Sequence, residues 1–582
     1  MPETKHMLLS KQDLRKGLKL NGGFGNMVSG FLMRSFSLNK LNRVYDKCYN
    51  ENPIKFSENC LKHNNIKLIV PEKDKTNIPE NGPALIFLNH PYGGLDALIL
   101  LKTLLEIRPD TKFLANFLLS RIEPAKPYLI QVNPFEDRKE SFSSHGGLKE
   151  VYKQLDEGHP VVILPAGEVS TKYNGYKNVE DRDWQVNMIK LAQNASVPVI
   201  SGYISGSNSK LFHFMGKIKP VLRTAMLPRE LLKKKNETIY LRFSGMTNTK
   251  TIASFDNRKT LAKVLKSKTY LLQDDCIAHD KKHVDPPHYQ QIIKETDNEL
   301  LKQEKDNLKP NNFLFQTDNY QCFFAATEDI PNIFRELSRL REITFREIGE
   351  GTGKDSDKDK YDQYYNHLFI WDETANKLVG AYRIGLGSDI LASKGVEGFY
   401  INSLFSFTKD FEPYLSKSME MGRSFIVHDY QRKPLPLFLL WKGIYHVTQK
   451  YPEYKYLIGP ASISNFYSEN SKILIIEYLK RNHIWKELSS MVKNKTPYNY
   501  QLNHHHNIIL QEFGDDLSHI DRFIKDIDIN HVGIPVLIKK YLSLGGRIVD
   551  FNVDPDFNYS IDGFVVLDID VVSEEVIKSY NK

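Results

Sequence analysis

Residues 87–105 read FLNHPYGGLDALILLKTLL. A short apolar run ends at Leu88, Asn89 and His90 follow, Gly93 and Gly94 come next, and Asp96 stands at the start of a second, longer apolar run. The first run, PALIFL at 83–88 behind Asn81-Gly82, predicts a buried strand. The second predicts a helix, with Leu95, Leu98, Ile99, Leu101 and Leu105 broadly on one side. A histidine at such a junction is either an ordinary loop residue or half of a catalytic pair. Loops at the carboxyl ends of strands in α/β domains are where sites collect.

Working outward, PVVILP at 160–165 and VPVISGYI at 197–204 read as two more buried strands separated by helical stretches. Residues 80–250 therefore predict an α/β sheet domain. Residues 273–315 turn polar and highly charged, the composition of a surface helix and a linker. Strand and helix patterns resume near Phe313: HLFIWD at 367–372, LVGAYRIG at 378–385, RSFIV at 423–427 and YLIGP at 456–460, with helical runs at 331–348 and 435–449. The predicted organisation is an N-terminal helical segment over 1–75, a first α/β domain over 76–272, a charged linker over 273–315 and a second α/β domain over 316–582. Within the first segment, NGGFGNMVSGFLMRSFSLNKLNRVYDK at 21–47 suits either a membrane interface or a helix packed on the core.

The 582 residues are 41% hydrophobic and 26% charged, as in a globular protein of more than one domain. No apolar stretch reaches the roughly 18 residues of a membrane span. The start has no signal-peptide core, so a cytoplasmic location is expected. Four scattered cysteines form no CxxC pair, and reduced thiols are expected. A net charge of +8 permits anionic partners such as a membrane surface or an acidic carrier protein. No nucleic-acid-binding motif and no Walker-type phosphate loop is present. NHHHN at 503–507 is read as an exposed loop. Three adjacent histidines do not easily converge from one helix or strand, so no metal is expected.

The chemistry of His90 and Asp96 is that of a general base. A carboxylate on one imidazole nitrogen fixes the tautomer and stabilises the imidazolium formed when the other nitrogen takes a proton. Such a base contributes about 100- to 10,000-fold in rate. Gly93 and Gly94 allow close approach of substrate or backbone.

NHPYGGLD at 89–96 resembles the first motif of the glycerolipid acyltransferases of the lysophosphatidic-acid-acyltransferase type, Asn-His, four residues, Asp. Five residues separate His90 from Asp96 here, a departure of one that resembles the branch acting on aminolipids. ILPAGEVS at 163–170 resembles the family's Phe-Pro-Glu-Gly-Thr-Arg motif, and the Val197-Pro198 stretch its last motif. The resemblance covers roughly residues 80–245 and implies acyl transfer, with His90 and Asp96 catalytic and Asn89, Gly93, Gly94, Pro165, Gly167 and Glu168 around the acceptor. Glu168 stands where the family has Thr and Val169 where it has Arg. A carboxylate in place of a cation suits an acceptor without a phosphate, or one carrying an amine. Arg138 is a candidate anion contact.

In the second domain, Arg341 with Phe345, Asp359 with Tyr361 and Asp362, Gly380 with Tyr382 and Arg383, and Glu420 with Arg423 resemble the GNAT-like N-acyltransferases that use acyl carrier protein. These include the ornithine N-acyltransferases and, more distantly, the acyl-homoserine-lactone synthases. LLWKGI at 439–444 and FNVDPDFNYSIDGFVV at 551–566 match the ornithine branch, and the likeness spans roughly residues 320–570. It implies a carboxylate that helps an amine lose its proton, for which Glu420 is the candidate. It also implies that Arg341, Arg346, Asp362, Arg383 and Arg423 bind phosphopantetheine, the substrate carboxylate or the carrier protein.

Together the two resemblances imply a bifunctional aminolipid synthase. The C-terminal domain would N-acylate an amino acid, ornithine or glycine, with a 3-hydroxyacyl group, and the N-terminal domain would O-acylate the 3-hydroxyl. No tightly bound cofactor is expected; the donor would be acyl carrier protein or coenzyme A thioester. The substrates would be an amino acid and a lyso-aminolipid, and the protein would work peripherally at the inner face of the cytoplasmic membrane. Two other readings stand: a lysophospholipid acyltransferase with a non-catalytic second domain, and a lipid- or carrier-binding module without catalysis.

Overall fold

The computed structural model describes residues 6–17, 29–30, 33–34, 37–116, 119–132, 144–173, 178–218, 220–273 and 289–580. The chain divides into two compact units, Met1–Asp280 with Asn503–His531, and Lys281–Leu502 with Val532–Lys582.

The first unit is built on seven strands: β1 (Lys67–Ile69), β2 (Leu85–Leu88), β3 (Lys112–Asn116), β4 (Leu129–Val132), β5 (Val161–Ile163), β6 (Val199–Ile204) and β7 (Thr238–Phe243). Their order is β1-β7-β6-β2-β5-β3-β4. Every pairing is parallel except β6 with β7. The expected strands at 83–88, 160–165 and 197–204 are the three central ones.

Strand β2 shows why the sheet forms. Its residues alternate between two apolar layers, Ile86 and Leu88 into one, Leu85 and Phe87 into the other. The first layer holds Leu98, Leu101 and Leu105 of the helix Gly94–Ile107. The second holds Ile189, Leu261 and Leu265 from helices Val186–Ala195 and Arg258–Tyr270. A strand covered on both faces must be apolar at every position, hence the continuous run. Each such side chain contributes about 1.5–3 kcal/mol by its burial. The helix Gly94–Ile107 is buried on nearly all sides, Leu100 and Leu104 included, and not along one stripe only. It ends at Arg108, whose extended backbone precedes Pro109.

Of the N-terminal segment, helices Leu38–Cys48 and Pro53–His63 pack into the first unit through Tyr45, Phe56 and Leu61. The glycine-rich stretch 18–28 lies outside the described residues. No described helix is long and apolar enough to cross a membrane.

The second unit holds β8 (Phe313–Thr317), β9 (Tyr320–Ala326), β10 (Asn366–Asp372), β11 (Lys377–Leu386), β12 (Phe405–Phe407), β13 (Ser418–Ile426), β14 (Tyr456–Ile463), β15 (Val492–Asn494), β16 (Arg547–Asp554) and β17 (Ser560–Asp568). Eight of them form one sheet in the order β16-β17-β14-β13-β11-β10-β9-β8, while β12 pairs with β15. The large sheet is antiparallel except at β13 and β14. These run parallel and pair over only Ser418–Glu420 and Tyr456–Ile458. Beside that junction β13 loses register with β11 and Arg423 has a left-handed backbone, φ 50°.

The architecture is the expected pair of α/β domains, with different boundaries: residues up to 75 group with the first unit and supply β1, and residues 281–315 group with the second. Residues 503–531, expected within the second domain, group with the first unit. The histidine run is not an exposed loop. Asn503 caps the helix His504–Phe513 by accepting the N–H of His506, and His505 and His506 are buried. That helix packs on Arg258–Tyr270. Lys268 Nζ donates to Asp526 Oδ2 at 2.6 Å, and Gly245 N donates to Asp526 O at 2.7 Å.

Candidate active sites

His90 sits immediately beyond the carboxyl end of β2, at the centre of the first sheet. Its Nδ1 lies 2.7 Å from Asp96 Oδ2. That oxygen also accepts the backbone N–H groups of Tyr92 at 3.0 Å and Gly93 at 2.8 Å. Asp96 is fully buried in the first turn of its helix, where a carboxylate is stabilised by free amides and the helix dipole. An ionised carboxylate only accepts, so Nδ1 carries the proton and Nε2 is left with its lone pair. The imidazole is 18% exposed. The expected pair is thus brought together in the geometry of an oriented base.

Several residues assigned to substrate contact have structural partners of their own. Asn89 is buried and clamps β2 to β6: its Nδ2 donates to Ile204 O at 2.9 Å and its Oδ1 accepts Ile204 N at 2.7 Å. Gly93 adopts φ 97°, and a Cβ there would meet Leu227 at 3.0 Å. Gly94 begins the helix. Pro165 O accepts Gln185 N at 3.1 Å, and a Cβ on Gly167, φ 71°, would collide with the Gln185 amide.

Glu168 corrects the charge reading of the third motif. Its Oε2 accepts Arg223 Nη2 at 2.5 Å, and its Oε1 accepts Arg182 Nη1 and Tyr173 OH, each at 3.1 Å. The cation missing at position 169 is replaced by arginines distant in sequence, while Val169 joins Phe212 and Met226 in a small apolar cluster. Glu168 is paired with two arginines, and is no longer an argument for an amine-bearing acceptor. Arg138 lies outside the described residues.

In the second unit buried Arg341 and Arg383 join partly buried Arg423, buried Asp357 and Asp362 and partly buried Asp359 in one network. Arg341 grips both oxygens of Asp362 at 3.1 Å. Arg383 Nη1 donates to Asp359 at 2.6 Å and to Asp362 at 3.1 Å. Arg423 Nη2 donates to Asp359 Oδ2 at 2.9 Å, and its Nε lies 3.0 Å from Asp357 Oδ2. The arginines hold the carboxyl groups of Asp362 and Asp359 below the usual range, against the upward push of burial. Buried charges need mutual pairing, and here three cations meet three anions. These arginines therefore brace the fold around β11 and β13 and are not open anion contacts as expected. Arg346 is occupied by Glu342 at 2.7 Å and lies over Tyr289.

Glu420 is fully buried, and burial pushes its carboxyl up to about 7. Its Oε2 accepts Tyr365 OH and the Tyr400 N–H, the latter at 3.0 Å, and its Oε1 accepts Ile401 N at 2.5 Å. This makes it the anchor of the turn at 400–401.

Residues 19–279 match an acyltransferase family, and residues 340–441 match the acetyltransferase (GNAT) domain. The protein is an acyltransferase of two domains. It is 29% identical over 293 residues to a glycine N(alpha)-acyltransferase of Bacteroides thetaiotaomicron, covering 46% of this chain and 82% of the relative. A protein of the same description from Phocaeicola vulgatus is 28% identical over 46% of this chain and 85% of its own. A lyso-glycine lipid O-acyltransferase of Phocaeicola vulgatus is 25% identical over 43% of this chain and 90% of its own.

Two further residues of this acyltransferase escape sequence reasoning. Asp181 is buried and accepts His90 N at 3.2 Å, Ser170 Oγ at 2.5 Å and Trp184 Nε1 at 3.0 Å. Tyr270 OH accepts the Asp181 N–H at 2.6 Å. Nothing in DRDW at 181–184 marks the first residue as a support of His90. Arg223 lies in a plain amphipathic helix, and only the fold brings it to Glu168.

Proposed function

We propose that the chain makes an N,O-diacylated amino-acid lipid, with glycine as head group. The observation that carries this reading is similarity, in one chain with two acyltransferase domains, to relatives named for the N-acyl and the O-acyl step of glycine lipid formation. In the second unit the amine of glycine attacks the carbonyl of a 3-hydroxyacyl thioester. The C–N bond forms, the C–S bond breaks, and the thiol leaves with the proton. In the first unit His90 Nε2 takes the proton of the 3-hydroxyl as that oxygen attacks a second acyl thioester, and the imidazolium returns it to the departing thiolate. Asp96 stabilises the imidazolium. The donor is acyl carrier protein thioester, and the product is released at a membrane surface. Having both steps in one chain raises the effective concentration of the mono-acyl intermediate.

The acceptor of the first unit has a second reading, favoured by Arg182 and Arg223 beside Glu168. Two cations on one carboxylate leave a positive balance that suits a lysophospholipid phosphate.

The test is lipid mass spectrometry on a bacterium without aminolipids that expresses the wild type, His90→Ala or Asp96→Asn. The wild type is expected to yield a diacylated glycine lipid. Both variants are expected to accumulate the mono-acylated form, with the O-acyl rate down about 100- to 10,000-fold. Unchanged aminolipids with altered phospholipid acyl chains would replace this reading by the second.

A further inference from the structure

The histidine run set aside as a metal ligand on sequence grounds has a different setting in the fold. His504 and His505 open a helix of the 503–531 segment, and both rings turn to one carboxylate of the first unit. Glu180 Oε2 lies 3.3 Å from His505 Nε2 and 3.5 Å from His504 Nε2. The three ligand atoms all lie within 4.8 Å of one another. Tetrahedral zinc with bonds of about 2.0–2.1 Å sets its ligand atoms roughly 3.3 Å apart.

We propose that Glu180, His504 and His505 bind a divalent transition metal, zinc by the chemistry of the donors, which fastens the helix pair of residues 503–531 to the rest of the first unit. Two imidazoles and one carboxylate form a three-ligand set with one position open for water. The hard cations calcium and magnesium prefer all-oxygen sites. Glu180 Oε2 and His505 Nε2 are both buried and face each other without forming a hydrogen bond. A metal between them satisfies both. The other nitrogen of His505, Nδ1, lies 3.1 Å from Ser267 Oγ, and its ring stacks on Tyr270 at 5.1 Å with planes 3° apart. Metal-bound imidazoles are oriented by such partners on the far nitrogen. Glu180 is fixed through its backbone, which exchanges hydrogen bonds with Thr171 at 3.0 and 3.2 Å. His504 is half exposed and opens the site to entering metal. The opposing charge is Lys266, whose Nζ lies 3.9 Å from Glu180 Oε2 and donates to Asp181 O at 2.7 Å. The ligands come from stretches far apart in the chain, so a bound ion closes a long loop, where a cross-link does most for stability.

The experiment is zinc titration of the metal-stripped full-length protein by calorimetry, with cobalt absorption spectroscopy as a second readout. One equivalent of zinc is expected to bind the wild type and raise its melting temperature, and cobalt is expected to give the intense visible bands of a four-coordinate ion. Glu180→Gln and His505→Ala are expected to lose that equivalent. Ser267→Ala is expected to weaken it about 10- to 100-fold. The exposed His428→Gln is expected to bind as the wild type does. Absence of stoichiometric binding in the wild type overturns the proposal, as does binding retained by both ligand variants. The cobalt spectrum of the wild type decides the matter even where a variant fails to fold.

Discussion

Asp181 Oδ1 accepts the backbone N–H of His90 at 3.2 Å, so His90 is held from two sides, by Asp96 at the ring and by Asp181 at the main chain. Burial pushes the Asp181 carboxyl up, and hydrogen bonds from Ser170, Trp184 and the His90 amide offset only part of that push. Asp181→Ala strands three buried donors, each costing about 1–3 kcal/mol. Asp181→Asn keeps an acceptor for His90 and Ser170. The expected outcome is a fall in kcat for O-acyl transfer of about 10- to 100-fold in Asp181→Ala, with KM little changed and substantial recovery in Asp181→Asn. A loss of stability alone, with kcat per folded molecule unchanged, would leave Asp181 as a purely structural residue.

The paired arginines of the second unit lead to a different expectation from that of phosphate-binding residues. Removing one partner from a buried ion pair costs about 3–5 kcal/mol. Arg341→Met and Arg383→Met are therefore expected to lower stability by that amount in denaturant titrations. A variant of normal stability with a raised KM for the acyl donor would restore the donor-binding role.

Glu350, held at about 8 by burial and by Asp554 and Asp562, and Asp562, held at about 7, give the second unit a pH dependence. Both values are raised above those of the unfolded chain. The fold therefore favours the protonated form, and the associated stability is complete below about pH 4 and is lost as pH rises through 7 to 8. Melts of the wild type between pH 5 and 9 are expected to show this decline, on the order of a few kcal/mol. Glu350→Gln should flatten it. A wild-type profile that rises over that range would mean these carboxyls ionise freely.

The strands at 83–88, 160–165 and 197–204 were legible because burial on both faces leaves a continuous apolar run. His90 and Asp96 were legible because strand, glycines and helix fix their separation locally. The roles given to Asn89, Glu168, Arg341, Arg383 and Arg423 were not legible. Whether a polar side chain meets substrate or another part of the chain depends on partners that only the fold brings near. Arg223 is the partner of Glu168, and Ile204 that of Asn89.

By itself the sequence determined two α/β domains, the strand–histidine–helix junction and the Asp96 contact, since all of these follow from short-range periodicity, turn chemistry and helix capping. Only the tertiary structure decided that residues 503–531 join the first unit, that Asp181 supports His90, and that two histidines meet Glu180. Each of these depends on chain segments far apart in sequence. Such contacts are set by how whole apolar faces pack, and they leave no local pattern to read.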